Sequence, residues 1–128
     1  MNKKAIGIAA MVAATLLPTF GAAAADACMT VGTKRFAVTL ADTEAARAFA
    51  ARLPMTLDMG DLHNNEKHVK LPQALPTAAS RPGTIRNGDL MLWGSDTLVV
   101  FYLGFPSEYA YTRLGRIEDA GGLAQALG

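Results

Sequence analysis

Asp89-Leu90-Met91-Leu92-Trp93-Gly94-Ser95-Asp96-Thr97-Leu98-Val99-Val100-Phe101-Tyr102-Leu103 decides the fold. Two β-prone runs, 89–93 and 97–103, are joined by Gly94-Ser95-Asp96, residue types that favour a tight turn. Leu98 to Leu103 is apolar without a break. Such a run belongs to a strand buried on both faces or lying in a barrel wall, where neither side of the pleat meets water. Asn87-Gly88-Asp89 is a turn signal just ahead of the pair. Beyond it, Gly104 to Ala110 reads as a loop containing Pro106, Tyr111 to Ile117 as a last strand, and Gly122 to Leu127 as a short closing helix.

The same alternation recurs nearer the N-terminus. Met29 to Val31 and Arg35 to Leu40 flank Gly32-Thr33-Lys34, and Phe36, Val38 and Leu40 share one face, so the pair reads as a hairpin. Asp42-Thr43-Glu44 then opens a helix. Asp42 is expected to cap a free amide, and Glu44 suits the positive end of the helix dipole. Ala45, Ala46, Phe49 and Leu53 supply its apolar stripe, and Pro54 ends it. Met55 to Met59 alternates again, with Met55, Leu57 and Met59 inward. Gly60 to Lys70 is polar and reads as a loop leading into a short strand near Val69. Leu71 to Gly83 carries Pro72, Pro76 and Pro82 and reads as an irregular extended stretch. Some seven short strands with one early helix and a short last one predict a mainly β, closed barrel, because closure removes exposed strand edges.

The chain has 128 residues, enough for one domain. Its first twenty-five residues differ from the rest. Lys3 and Lys4 precede an apolar run from Ala5 to Phe20, and Gly21 with Ala22 to Ala25 supplies small residues for cleavage. This is the pattern of an export leader. The run is interrupted by Pro18 and is short of the ~20 residues that span a bilayer, so a membrane anchor fits less well. The residues before Cys28, Ala25-Asp26-Ala27, match a lipidation signal poorly. The expectation is a signal peptide over 1–25, a domain over 28–128, a periplasmic or secreted location, and no membrane insertion after cleavage.

Removing the leader leaves ten basic against eleven acidic residues, a formal charge of −1. A near-neutral domain gives no electrostatic case for nucleic acid. Cys28 is the only cysteine, so no internal disulfide forms and a packed core must hold the fold. The sequence leaves the oligomeric state open.

Read in order, the hairpin comes first, then a helix marked by Thr43, Ala46, Phe49 and Leu53-Pro54. The Leu71-Pro72 and Leu75-Pro76 steps follow, then Asn87-Gly88-Asp89-Leu90, Val100-Phe101-Tyr102 and Leu114-Gly115-Arg116-Ile117-Glu118. This set resembles the small bacterial cyclophilin-like domain family and spans about Met29 to Leu127. The resemblance implies an eight-stranded cyclophilin-type barrel and raises peptidyl-prolyl isomerase activity. Cyclophilins with that activity carry a Gly-Gly-Asp-Phe-containing stretch with an arginine just ahead of it. Here Gly88-Asp89-Leu90 is only a turn fragment, so no catalytic residue carries over.

An isomerase would need an apolar slot and a fixed arginine to lower the ~18–20 kcal/mol amide barrier. Arg113 and Arg116 on the last strand are the candidate arginines. Phe101, Tyr102 and Met59, with Trp93 and Met55, are the candidate lining, although barrel core is the simpler reading of these aromatics and methionines. His63 and His68 with Asp61 and Glu66 form the one metal-like set. A structural zinc site would want a tighter, cysteine-richer group, so a solvated loop is expected there and no metal. Ser80, Ser95 and Ser107 lie in turns without a Gly-x-Ser-x-Gly setting, no glycine loop is placed to cradle phosphate, and no cofactor is expected. The functional expectation is a domain that binds a small molecule or extended peptide in a barrel-side cleft. A prolyl isomerase with a non-standard site and a purely structural or interaction module are the alternatives.

Overall fold

The computed structural model of the chain describes residues 3–11 and 26–128. Ten strands and two short helices appear in the order β1 (Lys3–Ala10), β2 (Ala27–Val31), β3 (Lys34–Leu40), α1 (Glu44–Ala50), β4 (Met55–Leu62), β5 (Glu66–Lys70), β6 (Gly83–Ile85), β7 (Asp89–Trp93), β8 (Thr97–Phe101), β9 (Phe105–Ser107), β10 (Thr112–Ile117) and α2 (Leu123–Leu127). Eight strands close into a barrel in the order β1-β2-β3-β10-β7-β8-β5-β4, and β6 pairs with β9 in a separate two-stranded sheet. Every pairing in the barrel is antiparallel.

The expected closed barrel is therefore present. So is the double burial of the 97–103 run: Leu98 and Val100 join the barrel interior, while Val99 and Phe101 face outward into a second cluster with Ile85, Met91 and Tyr111. Phe105 of β9 packs on that cluster, so the small β6–β9 sheet lies against the outer wall of β7 and β8. Gly104 to Ala110 is accordingly not all loop. Phe105–Ser107 finds β6 as a partner, with Ile85 opposite Phe105.

Two local expectations are corrected. Thr43, not Asp42, caps α1: its hydroxyl accepts from the Ala46 amide at 3.1 Å, while Asp42 pairs with Arg47 at 2.8 Å. Gly60 to Lys70 is a hairpin rather than a loop. β4 runs on to Leu62 and β5 starts at Glu66, with His63 and Asn64 turning the chain at positive φ. The stretch is polar because its turn is exposed and its strands carry charge on both faces.

Inside the barrel, α1 contributes Ala45 and Phe49 and α2 contributes Leu123 and Leu127 to the same core as Ile6, Met29, Met59 and Leu90. Helices outside a closed wall can reach its interior only at the ends, so these two cover the openings. At Gly115 a side chain would press into the Thr39 carbonyl, where β10 shifts register against β7 beside β3. The leader expected over 1–25 meets the described structure at Lys3–Ala10, which is β1, inserted between β2 and β4. Residues 12–25 lie outside the described residues. Among the described residues, no helix is long and apolar enough to cross a membrane.

Candidate functional site

A cleft of about 400 Å³ lies on the outer wall beside the β6–β9 sheet. Its floor comes from two adjacent strands, with Glu66 and His68 on β5 and Thr97 and Val99 on β8. Strand parity sets this face: His68 lies opposite Val99 and Glu66 opposite Phe101, all on the outside, while Lys67 opposite Val100 points in. Trp93 at the end of β7 forms one wall, Tyr109 and Tyr111 beyond β9 another, and Leu62 and His63 of the β4–β5 turn a third. Trp93 is 52% exposed and Tyr109 66%, so both rings present apolar surface at the cleft.

Glu66 is the charged group of the floor. It is only 7% exposed, and its carboxyl has no hydrogen bond or ion pair with any described residue. Burial, aided by the nearby Asp61 charge, pushes that carboxyl up to about 7. Burial also raises the Tyr111 hydroxyl, outweighing a hydrogen bond with Ser107 that lowers it, and Glu66 and Tyr109 add smaller upward pressure.

Behind the floor, inside the barrel, sits a second polar group. Lys67 is fully buried, with its ammonium 3.2 Å from Asp61 Oδ1. The Tyr102 hydroxyl donates to the same oxygen, and the Asn64 amide donates to Oδ2 at 3.0 Å. Burial pushes the Asp61 carboxyl up, but the hydrogen bonds from Tyr102, Lys67 and Asn64 outweigh it and hold it below the ordinary range. Tyr102 moves the other way: burial and the adjoining carboxylate both raise its hydroxyl.

The five candidate binding residues do not converge on one cleft. Met59 and Tyr102 face the barrel interior. Phe101 is outward but fully covered, its ring 5.7 Å from Phe105 and 5.5 Å from Tyr111. Arg113 and Arg116 reach Asp89 Oδ1 at 3.4 and 3.1 Å, and the buried Asp89 also accepts from the Arg86 amide. Neither arginine lines the cleft. The Asp61, His63, Glu66 and His68 set is split by strand parity: Asp61 faces in, Glu66 and His68 face out. Among the described residues no three histidine, cysteine or carboxylate side chains come together to hold a metal ion.

The Glu66 shift has a measurable consequence. Its folded pKa of about 7 stands above the ordinary 4.5, so between these values the folded state keeps a proton that the unfolded state has lost. Stability contributed here is complete below about pH 4.5 and falls as pH rises to about 7. Glu66→Gln is expected to remove that fall and to be more stable than the parent above neutrality by roughly 2–3 kcal/mol. Urea unfolding across this range checks it, and parallel curves for the two proteins refute it.

The model describing the cyclophilin-like family matches residues 29–128. No curated protein and no solved structure matches the chain.

Proposed function

Because the chain belongs to the cyclophilin-like family, we propose that it acts as an exported binding domain, taking a small molecule or an extended peptide in the cleft on the outer wall of its barrel. The observation that carries this reading is the cleft itself. A concave cleft floored by two paired strands, with a few placed polar groups and walls of exposed aromatic rings, is the usual form of a ligand site. An extended segment fits such a floor because its side chains alternate with the period of the strands beneath. Isomerase chemistry lacks a comparable support: Arg113 and Arg116 are engaged with Asp89 rather than turned toward the cleft.

Export is supported by Lys3-Lys4, the apolar run after them and the small residues before Asp26. The intact mass of the chain recovered from the periplasm would test it, with loss of about the first twenty-five residues expected.

Trp93 is the only tryptophan, so its emission reports the cleft alone. Titration with a proline-containing tetrapeptide is expected to shift that emission saturably, and Tyr109→Ala to weaken the response several-fold. Emission unmoved by tetrapeptide and by small organic ligands alike sinks the binding reading. Accelerated isomerisation of the same tetrapeptide would add catalysis to it.

A further inference from the structure

We propose that the outer-wall cleft is built for an ammonium group, with Glu66 as its counter-charge and the rings of Trp93, Tyr109 and Tyr111 around it. This deepens the binding reading and rests on it. Glu66 is more than nine-tenths buried, yet no cation and no hydrogen-bond donor of the described residues meets its carboxyl. A buried carboxylate in that condition is costly, and a bound cation is the direct remedy. The walls of the same cleft supply one tryptophan and two tyrosines. Their ring faces are negative, so they attract a cation and repel an anion. Val99 and Thr97 offer apolar contact to methyl or methylene groups attached to the nitrogen.

The charges around Glu66 agree with this sign. From β4 comes the Asp61 carboxylate, which adds negative potential, although Lys67 beside it on the interior offsets part of that. From the β4–β5 turn and from β5 itself come His63 and His68, both at the cleft. Tyr102, Tyr109 and Tyr111 complete the titratable neighbours, and the upward shifts of Tyr102 and Tyr111 keep those two hydroxyls neutral. At and above neutrality the site is therefore anionic. Below about pH 6 it is not, because Glu66 carries a proton.

Two sources present this chemistry: a free quaternary amine and the lysine side chain of a peptide. The probes are choline, the neutral isostere of choline in which a tert-butyl group replaces trimethylammonium, and an acetylated Ala-Lys-Ala amide. Each is titrated into the full chain and followed by Trp93 emission. Choline or the lysine peptide should bind in the millimolar range or better, and the isostere about tenfold more weakly. Affinity for the charged probe should fall about sevenfold from pH 8 to pH 5.5, as protonation empties the Glu66 carboxylate. Glu66→Gln should lose about tenfold at pH 8 and show no such pH dependence, while retaining its far-ultraviolet circular dichroism. The tighter of the two charged probes identifies the source. Equal binding of choline and its isostere overturns the ammonium assignment and leaves the cleft reading intact. A neutral proline tetrapeptide that moves Trp93 while neither charged probe does has the same consequence. Silence from every probe overturns both.

Discussion

An Ile8→Asp chain that keeps its first eleven residues is expected to lose the barrel, with a stability loss of at least about 4 kcal/mol. Ile8 is 1% exposed and Ile6 fully buried, both on the inner face of β1. β1 is held along both edges, against β2 from Ile6 to Ala10 and against β4 from Lys3 to Ile8. An aspartate at residue 8 removes the buried side chain and puts a carboxylate among Met29, Met55 and their neighbours. Few domains survive a loss of that size, since total stabilities run to about 5–15 kcal/mol. Ala9→Asp is the control, because Ala9 points outward and is exposed. Urea unfolding of both variants decides the matter. An unchanged midpoint for Ile8→Asp would mean that β1 does not contribute to stability.

This experiment also bears on the fate of the N-terminus. Lys3–Ala10 carries the pattern of an export leader and also closes the sheet. The two readings draw on the same property, since an apolar run that suits a translocation channel also suits a barrel interior. The proposed cleavage before Asp26 would remove β1 and free the facing edges of β2 and β4. Those edges must then meet each other or take another strand, because unpaired backbone groups next to an apolar core are costly. The family match begins at residue 29, so the matched region does not include β1.

Much of the barrel was legible because its signals are local. The β2–β3 and β7–β8 hairpins announce themselves by alternation around Gly32 and Gly94, both of which adopt positive φ. The double burial of β8 was legible too, since an unbroken apolar run leaves no face for water. β1 was not: Ala5-Ile6-Gly7-Ile8-Ala9 alternates only between larger and smaller apolar residues, and its pairing with β4 spans some fifty residues. β5 was hidden by Lys67, a charged side chain at an inward position that broke the expected pattern. The site was less legible for the same reason. It depends on β5 lying beside β8 and on Tyr109 and Tyr111 returning across them. Nothing in the order of residues places Glu66 beside Trp93. A parity count along 97–101 does separate Val99 from Val100, and that signal could have assigned Val99 to an outer surface.

The second large effect is expected at Asp61. Asp61→Ala should destabilise the chain by about 3–5 kcal/mol, as breaking a buried ion pair from one side usually does. The Asp61 carboxylate accepts from the Tyr102 hydroxyl and the Asn64 amide and faces the Lys67 ammonium at 3.2 Å, with Lys67 wholly enclosed by the barrel. Removing it withdraws the carboxylate from a buried cation and takes the acceptor from the Tyr102 hydroxyl, while the exposed Asn64 amide turns to water. Tyr102→Phe removes one donor only and should cost about 1–2 kcal/mol. Lys67→Met with Asp61→Leu replaces the charges by apolar volume and should recover much of the loss, because desolvation of both ions is avoided. The pH dependence has a definite sign. The Asp61 pKa is held below its ordinary 3.8, so the folded state binds fewer protons than the unfolded state in this range. Its contribution is complete above about pH 4 and is lost as pH falls through the lowered folded value. Parent stability should thus drop in acid, and the doubly apolar variant should drop less. An Asp61→Ala chain within about 1 kcal/mol of the parent would show that this network is not needed to hold the barrel interior together.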